Sequence, residues 1–499
     1  MHAADTAPTG TAPTGTAQVP HQVAHGKPEP DAGPRKSWAV LVLALTAQIL
    51  VVLDISVVNT ALPVIGESLR LGSSDLQWLV TAYLLLSGGG LLLGGRIADL
   101  VPRHRVFLTG MTIFTGASLA SGFANNATEL ITSRATQGLG AALMTPAALS
   151  LVMTTYSGAQ RTRGLALWGA VGSLGIAAGV LFGGALTTWF GWQLIFWVNV
   201  PIGVVALAVG LKVLPKDTAA RAGLAQFDVP GALTVIGGLG ALMYGLASTS
   251  AHGWLSVQSL VAFAASVVLL TGFVRIERRA ARPLVPPHTW KVRTLVSGTT
   301  VMIGATALLV GAVFLTSIFF QTVMGYSPLR AGVAFLPLAL AITAGTHLAS
   351  KLLAKTSPRN IAAGGLVLVA AGAALLSLVG ADARFATDLL PGMVALGFGV
   401  GMVFVAVAVT SMAGIPAQHA GMASGFLMTG HEVGAALGVA VLSAVATAAG
   451  SLTNAAGVVD GFTAAFLAAA VLAVTFGVVA YLRMPAARMD GAAAMHLHH

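Results

Sequence analysis

Two carboxylates stand where charge is costly. Asp54 lies about 24 Å along a helix starting at Trp38, and Glu432 about 15 Å beyond Met422, at 1.5 Å of rise per residue. Burial in an apolar span favours the protonated acid, and a nearby Arg or cationic ligand favours the carboxylate, so one such group can exchange a proton for a cation. Both are candidate protonation sites; the alternative for each is a carboxylate satisfied by neighbouring donors. Arg134 is the cation available to them from another span, with Gln137 one turn away on the same face. It either faces the interior as their partner or lies near the interface and snorkels to water. His431-Glu432 also opens a zinc-protease pattern, His-Glu-x-x-His, but its fifth position is Ala435. With no cysteine in the chain either, metal-ligand and enzyme chemistry have little to stand on.

The elements that must position these groups follow from composition. Of 499 residues 56% are hydrophobic and 8% charged, which excludes a water-facing globule. Apolar stretches of about 20 residues recur along the chain, each long enough to cross a hydrocarbon core of roughly 30 Å as a helix. A transmembrane β-barrel would alternate polar and apolar residues, whereas Leu41 to Leu53 is interrupted only by Thr46 and Gln48. The fold class is an all-α polytopic membrane protein. Fourteen spans are predicted: 38–62, 77–95, 106–124, 127–155, 164–189, 194–214, 229–248, 256–274, 294–323, 329–353, 361–379, 387–412, 422–449 and 461–482.

An even number of spans puts both termini on one side. With that side cytoplasmic, every Lys and Arg of the 26 falls on inner tails and loops except Arg70, Arg134, Arg330 and Arg384. The positive-inside rule therefore accounts for the net charge of +10 without nucleic acid. Residues 1–37, with TAPTG repeated at Thr6 to Gly10 and Thr11 to Gly15, read as a disordered cytoplasmic tail. They lack the pattern of a signal peptide, so the first helix is expected to be an uncleaved anchor. Residues 483–499 form a second cytoplasmic tail. Most of the 60 glycines fall in apolar stretches, where small residues let helices approach; Gly397, Gly399 and Gly401 are read that way and not as a nucleotide fingerprint.

Several stretches resemble one family. Gly95-Arg96-Ile97-Ala98-Asp99-Leu100-Val101-Pro102-Arg103-His104-Arg105, read as the loop after the second span, is similar to the cytoplasmic motif of the major facilitator superfamily, with Leu100 where a basic residue is usual and Pro102 where glycine is. Arg134 to Gly140 resembles the superfamily motif whose arginine is associated with proton transfer. Leu53 to Pro63, Leu76-Gln77-Trp78, Thr81 to Leu84 and Trp192 with Phe196 to Gly203 look like the fourteen-span drug:proton antiporter branch, as do Gln321, Gly325 to Pro328, Ala331, Gly332 and Pro337. Gly175, Gly179, Gly183 and Gly184 reproduce the glycine spacing of the antiporter motif, with Val180 where that motif carries proline.

Over roughly 38–482 the resemblance implies a major facilitator fold. It consists of a six-helix bundle at 38–214, two inserted helices and a basic loop at 215–293, and a second six-helix bundle at 294–482. A midplane site between the bundles would open alternately to each side. The implied function is proton-coupled export of amphipathic drugs or antibiotics across the plasma membrane, driven by the proton gradient without a cofactor. The partners are protons, amphipathic or cationic small molecules and the lipid bilayer, with the protein acting as a monomer. Asp54, Arg134 and Glu432 are assigned to proton coupling, Asp54 as the proton site shared by every cargo and Glu432 as the group that admits cationic cargo. Gly95, Asp99, Arg103 and Arg105 are assigned to a conformational latch, against the plainer reading of a topogenic basic loop. Gly175, Gly179, Gly183 and Gly184 are assigned to helix packing, and Asn59, Tyr83, Gln137, Gln321, Met402, Phe404 and Met428 to a substrate cavity. A transporter dedicated to one endogenous metabolite, including one that runs as an importer, is the competing reading, and a channel a third.

Overall fold

The computed structural model describes residues 34–156, 158–214, 228–280, 283–284, 291–413, 415 and 420–486; some helical side chains, among them those of Arg96, Asp99 and Val180, lie outside the description. The rest of the two tails (1–33 and 487–499), residues 215–227 and most of the 281–290 loop also lie outside it. Every regular element among the described residues is helical. In order they are α1 (Pro34–Leu69), α2 (Ser73–Leu100), α3 (Arg103–Gly122), α4 (Ala127–Thr155), α5 (Gly158–Phe190), α6 (Leu194–Trp197), α7 (Asn199–Val213), α8 (Val229–His252) and α9 (Val257–Arg279). Then follow α10 (Arg293–Thr322), α11 (Pro328–Ala334), α12 (Leu336–Leu352), α13 (Pro358–Leu376), a π-turn (Phe385–Leu389), α14 (Leu390–Met412), α15 (Ala420–Ala449) and α16 (Ala455–Arg483). Eleven helical segments among the described residues are long and apolar enough to cross a membrane. The sequence-based count of fourteen is not reached by that measure. Helices α2, α3 and α5 fall outside the eleven although they are 28, 20 and 33 residues long. Large apolar side chains such as Leu255, Val267, Leu340 and Val471 are exposed, as expected of helices that face lipid.

Local chemistry sets the helix ends. Asn126 caps α4 by accepting from the Glu129 N–H at 2.9 Å, while Glu129 accepts from the Asn125 N–H at 2.8 Å. The predicted loop from Gly95 to Arg105 is mostly helix: Gly95 to Leu100 ends α2 and Arg103 to Arg105 begins α3. Pro102 is the reason. It has no N–H to continue a helix and holds Val101 extended (φ −113°, ψ 147°), so the turn shrinks to two residues. Proline also splits two predicted single spans. Pro201 leaves the Trp197 carbonyl without its helical donor, and Pro337 does the same to Val333; the breaks fall at Val198 and Phe335. Between α8 and α9 the chain turns on Gly253 (φ +84°), whose carbonyl accepts from Ser259 Oγ at 3.1 Å.

Packing gathers the helices of the first 214 residues around α1 and α4, with α2, α3, α5 and α7 as their neighbours. Helices α10 and α12 to α16 pack on one another in the same manner, and α8 and α9 form a hairpin. The seam between the groups is closed by α2 on α15, α5 on α11 and α1 on α10. The glycines of α5 make close approaches both within the first group and across the seam. A Cβ on Gly179 or Gly183 would fall 2.6 Å from Ser56 Cβ or 2.8 Å from Val57 Cα, and one on Gly184 2.5 Å from the Pro328 carbonyl oxygen across the seam. Gly175 faces Val52, so the four spaced glycines of α5 lie against α1 and α11.

Candidate functional site

Asp54 sits inside a buried cluster built from six helices. Arg134 on α4 reaches across to α1 and pairs with Asp54 through Nη1; both residues are buried. The guanidinium does not snorkel, because its other contacts also lie inward: Nε donates to the Leu79 carbonyl at 3.2 Å and Nη1 to Gln137 Oε1 at 2.6 Å. Gln137 turns its amide nitrogen to Asp54 Oδ1 at 2.7 Å and to Ser118 Oγ, on α3, at 2.8 Å. Asn199, the first residue of α7, donates to the same Asp54 oxygen at 3.4 Å. Beneath the guanidinium lies the Tyr83 ring, its centroid 4.3 Å from Arg134 Cζ, with Phe196 at 5.9 Å. Asp54 thus receives donors from α4 and α7 in a setting where an isolated charge would be prohibitive, and the pair is neutral as a whole.

This closeness depends on α4 carrying no side chain at one point. A Cβ on Gly138 would lie 2.4 Å from the Tyr83 carbonyl oxygen, so any larger residue would push α4, with Arg134 and Gln137 on it, away from α2. The face of α2 continues to the second carboxylate. One turn beyond Tyr83, Ser87 Oγ donates to Glu432 Oε2 at 3.4 Å, and Gly88 leaves room for Glu432, whose Cβ would be 2.4 Å from a Cβ there. His431 Nδ1 lies 3.5 Å from Glu432 Oε1, and the His431 ring packs beside Phe404 with centroids 6.0 Å apart. Glu432 therefore lies on the seam, while Asp54 lies inside the first helical group. Leu79, Tyr83 and Ser87, at steps of four on one helix face, run from one acid to the other. The Tyr83 hydroxyl between them is buried with no hydrogen-bond partner among the described residues.

Residues 44–439 match the profile of the Major Facilitator Superfamily. The chain belongs to this superfamily. It is 38% identical over 456 residues, covering 88% of this chain and 89% of the relative, to the puromycin resistance protein pur8 of Streptomyces alboniger. The cephamycin export protein CmcT of Amycolatopsis lactamdurans is 35% identical over 460 residues, with 92% and 94% covered. The multidrug resistance protein Stp of Mycobacterium tuberculosis is 32% identical over 400 residues, with 80% and 74% covered. A major facilitator chain is a transporter.

The other residues nominated from the sequence are dispersed through this major facilitator protein. Asn59 and Gln321 meet at the α1–α10 seam, where Ser317 Oγ donates to the Asn59 carbonyl at 2.5 Å and Gln321 Nε2 to the Thr60 carbonyl at 2.7 Å. Two more bonds join the groups at the same end of the molecule, from the Leu329 N–H to Thr188 Oγ1 and from the Leu452 N–H to Ser73 Oγ, each 3.2 Å. Tyr83 and Gln137 belong to the Asp54 cluster. Met402 is buried towards Gly365 of α13, and Met428 is exposed on α15, so these two do not share a surface. Of the four residues nominated for the latch, Gly95 faces Pro146 of α4, Arg103 is partly buried, Arg105 is exposed and the Asp99 side chain lies outside the described residues. Sequence reasoning gave no role to Asn199, Ser118 or Ser87. Asn199 had a visible signal, as a lone amide in a stretch otherwise apolar from Leu194 to Leu211.

Proposed function

We propose that the protein is a proton-coupled exporter of amphipathic drugs or antibiotics that works by alternating access. The cargo class rests on the resistance and export proteins it resembles; the coupling rests on the buried Asp54–Arg134 pair. While Asp54 is ionised, the pair is neutral and Gln137 and Asn199 hold the carboxylate. A proton on Asp54 removes the counter-ion and leaves Arg134 with only neutral acceptors, Leu79 and Gln137, and the Tyr83 ring. That guanidinium is then costly where it is, and a rearrangement that hydrates or re-pairs it is favoured. Proton binding thereby biases a two-state equilibrium of the whole molecule. Glu432, on the seam, attracts cationic cargo, and Asp99 with Arg103 and Arg105 latches the α2–α3 turn in one state.

In this reading α2, α3 and α5 join the eleven apolar segments to make fourteen spans: two six-helix bundles, at 38–214 and 294–482, with α8 and α9 inserted between them. Both termini are cytoplasmic in the cell membrane and the protein is a monomer. The hydrogen-bonded seam at Asn59, Thr60 and Thr188 then seals the outer face, and the structure is the state closed to the outside. The test is proton-gradient-driven uptake into inverted vesicles, with one neutral and one cationic compound and matched protein amounts. Asp54→Asn is expected to abolish gradient-driven uptake of both, and Glu432→Gln to weaken the cationic compound alone. A gradient response that persists in Asp54→Asn, or equal loss of both compounds in Glu432→Gln, would overturn the assignment.

A further inference from the structure

A groove of about 240 Å³ runs along the membrane-facing side of the molecule between α13 and α16. Ala363 on α13 and Ala473 and Gly477 on α16 leave it open, and of its lining residues only Tyr481 carries a polar side-chain atom. At the end of the groove where α13 begins, the Arg359 guanidinium sits 4.6 Å from the centroid of the Tyr481 ring. Arg359 Nε is buried with no hydrogen-bond partner among the described residues. So is the hydroxyl of Ser357, the N-cap residue of the 19-residue helix α13, which is only 4% exposed and makes no cap bond. A cation in the first turn of a helix therefore stands at the mouth of an apolar channel, stacked on the channel's own Tyr481. Lys355, in the turn before α13, and Arg483, the last residue of α16, are exposed beside it, and neither 345–380 nor 461–486 contains an Asp or Glu to neutralise them.

We propose that this is a binding site for one anionic phospholipid, with an acyl chain in the α13–α16 groove and the phosphate held by Arg359 at its mouth. The guanidinium can stack on Tyr481 by its face and still donate from its edge, which a lysine could not do. Lys355 and Arg483 favour a headgroup with net negative charge over a zwitterionic one, as basic residues at a membrane surface do. The site is remote in sequence from Asp54 and Glu432, and the proposal stands whichever way transport runs.

The test is native mass spectrometry of the full-length protein with equal amounts of phosphatidylglycerol and phosphatidylcholine carrying the same chains. The wild-type protein is expected to keep one phosphatidylglycerol in about fivefold excess over phosphatidylcholine. Arg359→Gln should bring that ratio to about one, and Arg359→Lys should restore only part of it. Gly477→Leu should remove the bound lipid by filling the groove; the new Cβ would meet only Leu366 Cβ, at 3.5 Å, so the helices need not part. Equal retention of the two lipids by wild-type protein, a comparison that needs no variant, overturns the proposal. A preference that survives Arg359→Gln overturns the headgroup assignment, and one that survives Gly477→Leu overturns the place given to the chain.

Discussion

Asp54 is bonded from two other helices at once, so replacing it changes charge and packing together. Asp54→Asn leaves Arg134 as an uncompensated cation, and the expected cost is about 3 kcal/mol of stability, read as a fall in the unfolding midpoint in detergent. The double change Asp54→Asn with Arg134→Gln removes both charges. It should recover most of that stability yet stay unresponsive to a proton gradient; recovery of the response would show that the proton binds elsewhere. Tyr83 separates ring from hydroxyl in the same way. Tyr83→Phe keeps the surface under Arg134 and removes a buried, unused hydroxyl, so its stability should match wild type or exceed it by about 1 kcal/mol. Tyr83→Leu should lose about 2 kcal/mol through the missing cation–π contact and the poorer fit. Equal stability of the two variants would mean that the ring does not support the guanidinium.

At the scale of helices, what matters is how nearly two backbones can touch. Gly138→Leu should drive α4 from α2 and carry Arg134 out of reach of Leu79, so that transport fails even though both charged residues remain. Uptake at the wild-type rate by well-folded Gly138→Leu would show that α4 need not lie that close. Much of this was legible in the sequence. Asp54, Arg134 and Gln137 stood out because polar groups in an apolar span need one another, and the structure brings those three together. The α5 glycines, at steps of four, announced a close contact without saying with which helix. The two-residue turn at Val101 and Pro102 was harder to foresee, because the basic residues after it read as a loop while the proline that defines its edge stood only as a departure from the family motif. Asn199 and Ser87 were missed for a different reason. Each is short and neutral, and only the tertiary arrangement shows which carboxylate it meets.

For the molecule as a whole, the seam is held at one end by few and replaceable bonds. Removing Ser317 Oγ and Gln321 Nε2 from it, by Ser317→Ala with Gln321→Leu, should loosen α1 from α10 by about 2 kcal/mol without touching either carboxylate. The chain has no cysteine, so Thr60→Cys supplies a unique thiol at a position now buried. Its reaction with a water-soluble maleimide should speed up severalfold when the two seam residues are changed; an unchanged rate would mean that these bonds do not keep the seam shut. Helix α8 gives the same seam a sidedness. It packs on α2 and on α15, with Ile236 over Gly89 and Leu85 beside Gly240, and so covers the junction of the two helical groups along one flank. An oily compound dissolved in the bilayer that approaches from that flank meets a closed wall. The opposite flank, where α5 meets α11 and α12, has no such cover among the described residues, so a sideways doorway from the lipid, if the protein opens one, belongs there.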